Sequence, residues 1–228
     1  MTGVSVNVIA IVVGSLLGII FKKFIKDSYK ETIMNGIAIT VIIMGIMNVI
    51  ETNQFLIVIV SIVLGSLIGE ILDLEGKINK FADILCSKFE KNQCEESTFS
   101  EGFVTTTLIF CVGAMAIVGS LESGLTGNHD TLLAKSLLDG VSSVIFASTF
   151  GIGVIFSAAP VLIYEGGIVL GATLIKGFLT PEMITEVSAV GGILIIAIAL
   201  NILELKKIKI GNMLPAIIIP VIYFAITQ

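Results

Sequence analysis

The chain has 228 residues, 55% of them hydrophobic and only 14% charged, and carries a net charge of −5. A soluble domain has about 25% charged residues, so with a mean hydropathy of +1.06 this is no soluble globular domain: most of the chain has lipid as its solvent. The acidic balance and the lack of any long basic run exclude nucleic acid as a partner.

Crossing the hydrocarbon takes about 20 apolar residues. By that ruler the sequence predicts an all-α polytopic transmembrane bundle of about eight spans, forming one integral membrane domain over residues 1–228. The spans are Gly3–Phe21, Thr32–Ile50, Phe55–Leu72, Phe103–Leu121, Leu132–Phe150, Ile152–Ile175, Ile184–Leu203 and Gly211–Ile226. The first segment follows no basic n-region, so it is expected to be retained rather than cleaved. Gly14 and Gly18 in the first span, Gly65 and Gly69 in the third, and Gly167 and Gly171 in the sixth each make a GxxxG, which lets helix backbones approach closely in lipid.

Between the third and fourth spans lies the one long loop, Asp73 to Glu101. Leu74, Ile78, Phe81, Leu85 and Phe89 recur there at three- and four-residue steps, which predicts an amphipathic helix along the membrane or over a bundle mouth. The stretch from Asn92 to Ser100 is polar and is expected to be flexible. Cys86, Cys94 and Cys111 match no metal spacing and are odd in number, so they predict free thiols.

The fourth span carries Thr105, Thr106, Thr107 and Gly113, which suit either a cavity lining or ordinary interhelical hydrogen bonding. The following loop holds the only histidine, His129, and reads as an exposed connection with Asp130 as the N-cap of the fifth span, not as a metal site. The fifth span is unusually polar: Lys135, Ser136, Asp139, Ser142, Ser143, Ser148 and Thr149 lie in it. Lys135 and Asp139 are four apart and share a face, either as a structural ion pair or as a site where a solute's charge meets protonation. The same polarity leaves open whether this span crosses or re-enters.

The sixth span contains Pro160, Tyr164, Glu165, Gly166 and Gly167. Proline and paired glycine predict a helix broken around Glu165, and a broken helix at membrane depth must face protein or water. Asp139 and Glu165 lie at similar distances from the hairpin turn near Gly151, so at about 1.5 Å per residue they fall in one layer. Ionisable groups at such depth are costly and are functional candidates by default. The candidate binding residues are thus Lys135, Ser136, Asp139, Ser142, Ser143, Tyr164, Glu165, Thr106 and Gly113, with a helix break at Pro160, Gly166 and Gly167.

Lysines set the orientation. All 13 basic residues are lysine, so any cationic contact is an ammonium point charge. Eight spans put the clusters at 22–30, 77–91 and 206–209 on one side, leaving Lys176 opposite, with both termini outside the cytoplasm. An offset of 153 residues aligns Gly14 and Gly18 with Gly167 and Gly171, and Asn48 and Glu51 with Asn201 and Glu204. The first two spans would then recur, inverted, as the sixth and seventh, an organisation found in secondary transporters.

No catalytic, phosphate-binding or zinc motif is present, so neither an enzyme nor a cofactor nor a metal is expected. Gly102-Phe103-Val104, Phe110-Cys111-Val112-Gly113-Ala114-Met115, Gly124-Leu125-Thr126-Gly127, Lys135-Ser136-Leu137-Leu138-Asp139-Gly140 and Gly211-Asn212-Met213-Leu214-Pro215 resemble the YdfK/YqgA family of bacterial membrane proteins, a domain of unknown function. Glu165 stands where that pattern has Gln. The resemblance covers essentially the whole chain and implies a multi-pass protein of the bacterial inner membrane. The residues then point to a secondary transporter of a small solute or ion, with a membrane scaffold or a channel as alternatives. Expected partners are the lipid bilayer, the solute or ion and, as an open question, further copies of the chain.

Overall fold

The computed structural model describes residues 1–22, 27–86, 96–175, 177 and 179–227. Lys23, Lys26, Lys88, Lys91, Phe89, Cys94 and Lys176, on which the sequence reading drew, lie outside the described residues. Among the described residues the chain is helical and contains no strand. The helices are α1 (Thr2–Lys22), α2 (Asp27–Ile50), α3 (Phe55–Leu72), α4 (Leu74–Cys86), α5 (Glu96–Cys111), α6 (Ala114–Leu125), α7 (Asp130–Phe150), α8 (Gly153–Phe156), α9 (Ala158–Ile175), α10 (Pro181–Ile202) and, after a 3-10 segment Ile210–Ile217, α11 (Ile218–Thr227).

Six segments are long and apolar enough to cross a membrane, and a seventh is the bent pair Thr98–Cys111 and Met115–Leu125. The second predicted span, Thr32–Ile50, corresponds to the shorter apolar part of α2, Asn35–Ile50. A large share of the apolar side chains points outward, for example Leu174, 87% exposed, and Leu170, 74% exposed, as a lipid-facing surface requires. α7, whose crossing the sequence left open, is a continuous helix of 21 residues, or about 31 Å at 1.5 Å per residue.

Three expectations are corrected. The fourth span is not continuous: it bends by 57° between α5 and α6. Gly113 makes the bend with φ 136°, a conformation open to glycine and strained for any residue with a Cβ. Conversely, α9 runs unbroken through Glu165, Gly166 and Gly167. The interruption lies earlier, at Ser157, and Pro160 falls in the first turn of α9, where its missing N–H removes no helical bond. Finally, Glu96–Ser100, expected to be flexible, is the first turn of α5. Phe99 is 1% exposed and packs against Phe103, Ile152 and Phe156, so one aromatic outweighs the polar neighbours that suggested a loose tail. A smaller adjustment concerns α7: His129, not Asp130, occupies the capping position without a side-chain cap bond. Asp130 sits in the first turn, where its charge suits the helix dipole.

The chain divides into two compact units, residues 1–30 with 79–177 and residues 31–78 with 178–228. In the first unit α1 and α7 run parallel. A Cβ on Gly3 would touch Leu132, one on Gly14 would lie 2.3 Å from Gly140 O, and one on Gly18 would lie 2.3 Å from Val144 O. Only glycine permits that approach. At one end of the unit a Cβ on Gly102 would meet Phe150, one on Gly153 would meet Phe99 O, and one on Gly151 would approach Lys22 Nζ. At the other end the Ser123 hydroxyl pairs with His129 Nδ1 at 2.8 Å, and a Cβ on Gly124 would meet Ala172. Asn7 meets Glu165, whereas Lys22 lies near Gly151, so α9 runs antiparallel to α1.

In the second unit α3 packs antiparallel on the 3-10 segment and α11. A Cβ on Gly65 would lie 2.2 Å from Ala216 N, and one on Gly69 1.9 Å from Asn212 O. α2 packs antiparallel on α10, with Gly45 against Gly192 and Thr52 donating to Glu186. Glu186, 1% exposed, also accepts from Asn53 N at 3.0 Å and Gln54 N at 3.1 Å. It thereby satisfies two backbone amides of the turn that joins α2 to α3. At the opposite end Glu70 accepts from Lys209 Nζ and Asn212 Nδ2, both at 2.6 Å. That hydrogen bond holds the exposed Lys209 ammonium above its ordinary lysine range. Glu75 accepts from Gly211 N at 2.7 Å.

Candidate functional site

The polar centre of the first unit is built from α1, α7 and α9. Along α7, Lys135 and Asp139 fall on one face because they are one turn apart, and both are buried, at 6% and 7% exposure. Asp139 lies mid-helix, nine residues from Asp130 and eleven from Phe150, which puts it near the centre of the hydrocarbon. Lys135 Nζ donates to Asp139 Oδ2 and lies 3.4 Å from Glu165 Oε1. Glu165, on α9, is fully buried. Asp139 and Glu165, at similar distances from the hairpin turn, thus share one cation.

A fourth member, Asn7 of α1, escaped the sequence reading. Its Nδ2 donates to Asp139 Oδ2 at 3.0 Å and to Glu165 at 3.0 Å (Oε1) and 3.2 Å (Oε2). The signal was present: Asn7 lies seven residues, two turns, before Gly14, on the same helix face as the GxxxG. That face had to be the packed one, so a polar side chain on it had to find polar partners.

The other predicted residues divide. Ser143 lies one turn beyond Asp139 on the same face and is fully buried, with no hydrogen-bond partner on its hydroxyl. Ser136 Oγ turns back to Leu132 O at 2.6 Å and Thr106 Oγ1 to Gly102 O at 2.7 Å. These two bonds satisfy their own helices and place neither hydroxyl on the charges. Ser142 is half-buried and makes no described contact with the cluster. Tyr164 is half-buried and within electrostatic reach of Glu165 and Cys111. Gly113 makes the bend two residues after Cys111, which is within electrostatic reach of Lys135, Glu165 and Asp139. Phe110, two residues earlier than Val112, lies with its ring 6.0 Å from Lys135 Nζ. The α5–α6 break therefore adjoins the charged centre. Pro160, Gly166 and Gly167 do not break the helix there.

A cleft of about 400 Å³ between α1 and α7 is lined by Val6, Ala10, Val13, Gly14, Leu137 and Gly140 among others. Its walls are almost wholly apolar and open to the lipid side, so it has no chemistry for a polar ligand. Among the described residues no group of three or more His, Cys, Asp or Glu side chains is placed to hold a metal ion, and Cys111 is a free thiol.

The arrangement can do three things chemically. It can hold a cation against two carboxylates, let one ammonium change partner between acids on different helices, and present the helix ends of α5 and α6 beside them.

Two relatives are similar over nearly the whole chain, and each is named as uncharacterized. "Uncharacterized membrane protein YdfK" of Bacillus subtilis (strain 168) is 37% identical over 231 residues, covering 99% of this chain and 97% of that protein. "Uncharacterized protein YqgA" of Escherichia coli (strain K12) is 31% identical over 220 residues, covering 95% and 93%. No solved structure matches the chain. A family described as a protein of unknown function, DUF554, matches residues 2–225, and the chain is a membrane protein belonging to that family.

Proposed function

We propose that this chain is a secondary transporter of a small solute or ion, multi-pass in a bacterial inner membrane, with the Lys135–Asp139–Glu165–Asn7 centre as its binding layer. The observation that carries the reading is the charge imbalance of that centre. One ammonium faces two carboxylates at mid-membrane, where each unpaired charge costs about 2.5–3.5 kcal/mol on insertion scales. A scaffold gains nothing from such an arrangement; a protein that must accept and release charge does.

Two features support the reading. The antiparallel pairings of α1 with α9, α2 with α10, and α3 with the segment 210–227 follow the 153-residue offset, and are those expected of inverted repeats. The bend at Gly113 adjoins the charges, as discontinuous helices do in transporters. The reading includes no catalytic step and no cofactor. A bilayer location of the Bacillus relative is in that protein's name, and the inner membrane is the compartment proposed for this one.

The test is reconstitution in proteoliposomes on a solid-supported membrane, with currents recorded on jumps of sodium, potassium, protons, chloride and a panel of amino acids. The expected result is a current from one of these in wild-type protein that is lost in Asp139→Asn. Currents that survive Asp139→Asn unchanged would assign the centre to the scaffold alone.

A further inference from the structure

We infer that the charged centre is a binding site for a monovalent alkali cation, formed by Asp139, Glu165 and the side-chain oxygens of Asn7 and Ser143. This rests on the transport reading above and names its coupling ion. Three observations carry it.

Charge comes first. Among the described residues Lys135 is the one cation within salt-bridge distance of Asp139 or Glu165. With both acids ionised, the centre lacks one positive charge. A single monovalent ion brings it to zero, whereas a divalent ion would overshoot and would want more carboxylates than are present. Charge neutrality at mid-membrane thus selects the valence.

Second, the donors are spent and acceptors are left over. Asn7 is 0% exposed, and its amide nitrogen serves both acids. Its Oδ1 has no hydrogen-bond partner. Ser143 Oγ, one turn from Asp139 and 0% exposed, likewise has none. A buried acceptor left without a partner costs about 1–3 kcal/mol. The unpaired amide oxygen belongs to a side chain held against two carboxylates, and a cation taken up there would give it a partner.

Third, the donor set is hard. Carboxylate, amide and hydroxyl oxygens suit alkali and alkaline-earth ions, and imidazole is absent from the centre. Oxygen chemistry and single charge together point to sodium or lithium, with potassium as a size comparison.

The experiment measures the melting temperature of the purified full-length protein in detergent at constant pH and ionic strength. NaCl, LiCl and KCl are titrated against N-methyl-D-glucamine chloride. Saturable stabilisation by sodium or lithium is expected, with a rise of roughly 3–6 °C at ten times the dissociation constant. Asp139→Asn and Glu165→Gln should each abolish the rise, and Asn7→Ala should weaken the apparent affinity about tenfold or more. If these variants do not fold, saturable ²²Na⁺ binding to the wild type, competed by unlabelled sodium and not by N-methyl-D-glucamine, provides the same decision. Melting that is equal in all four salts, as protonation of one carboxylate alone would give, overturns the site. So does a sodium effect that survives both carboxylate variants, which would place the ion elsewhere. Sodium binding without any vesicle current would keep the site and remove the transport reading; a current indifferent to alkali ions would do the reverse.

Discussion

Asn7 Nδ2 and Asp139 Oδ2 lie 3.0 Å apart although 132 residues separate them in the chain. The same nitrogen reaches Glu165, so one amide ties three helices together at the level where the charges are. Replacing it with Leu leaves both carboxylates short of a donor in a dry environment. The expected loss is about 1–3 kcal/mol of stability, read as a lower melting temperature in detergent. Asn7→Leu melting like wild type would mean the amide does not hold the centre together.

Lys135 and Asp139 are not equivalent. Lys135→Ala strands two buried acids, and breaking a buried pair from one side costs about 3–5 kcal/mol. Asp139→Asn instead relieves the charge imbalance and leaves Lys135 paired with Glu165, so it should fold and melt near the wild type. The double variant Lys135→Ala/Asp139→Asn should recover part of what Lys135→Ala loses. Thermal melts of the two single variants and the double variant decide the order, and a severe loss in Asp139→Asn with none in Lys135→Ala reverses the assignment.

Much of this was readable from residue type and spacing alone. The apolar segments, the shared face of Lys135 and Asp139, and the common depth of Asp139 and Glu165 follow from helix periodicity and rise. What spacing could not supply was lateral neighbourhood. Asn7 joins the centre because Gly14 and Gly18 bring α1 against α7, and local sequence does not name the partner of a GxxxG. The Gly166–Gly167 break was misplaced for a related reason: glycine permits a break, but whether the chain uses the permission depends on packing. Gly113, at φ 136°, uses it. The pair at 166 and 167 does not.

Phe99 tests the corrected start of α5. Deleting Asn92–Ser100 removes a side chain, that of Phe99, which is 1% exposed, stacked on Phe103 and tilted against Phe156. Phe99→Ala alone should cost about 3–5 kcal/mol through the cavity it leaves. Leu174→Ala, at an 87% exposed lipid-facing position, should cost almost nothing. Equal melting of the two variants would return the segment to a loose tail.

The glycine contacts give a steric prediction with an internal control. A Cβ on Gly14 would sit 2.3 Å from a backbone oxygen of α7, whereas one on Gly36 meets nothing within 4 Å. Gly14→Leu should therefore push α1 away and destabilise by about 1–3 kcal/mol or more, while Gly36→Ala is neutral or slightly stabilising. Since the clash moves Asn7 as well, Gly14→Leu should also lower any sodium-induced rise in melting temperature.

In the first unit Lys22, Gly102 and Gly151 share one end, and Gly3, Glu122 and His129 share the other. α7 runs parallel to α1 over 21 residues, which supports a crossing over a re-entrant segment. With that crossing counted, the lysine clusters at 22–30, 77–91 and 206–209 all fall on one side, which the positive-inside tendency makes cytoplasmic. A cysteine introduced after Lys209 should resist a membrane-impermeant maleimide applied to intact cells. Cysteines at Thr126 and near the C-terminus should react, all tested in a background where Cys86, Cys94 and Cys111 are replaced by Ser. If the position after Lys209 labels from outside while Thr126 does too, an even number of crossings lies between them instead of the proposed three, α7, α9 and α10. The antiparallel repeat would then lose its opposite orientations in the membrane, and with them its support for alternating access.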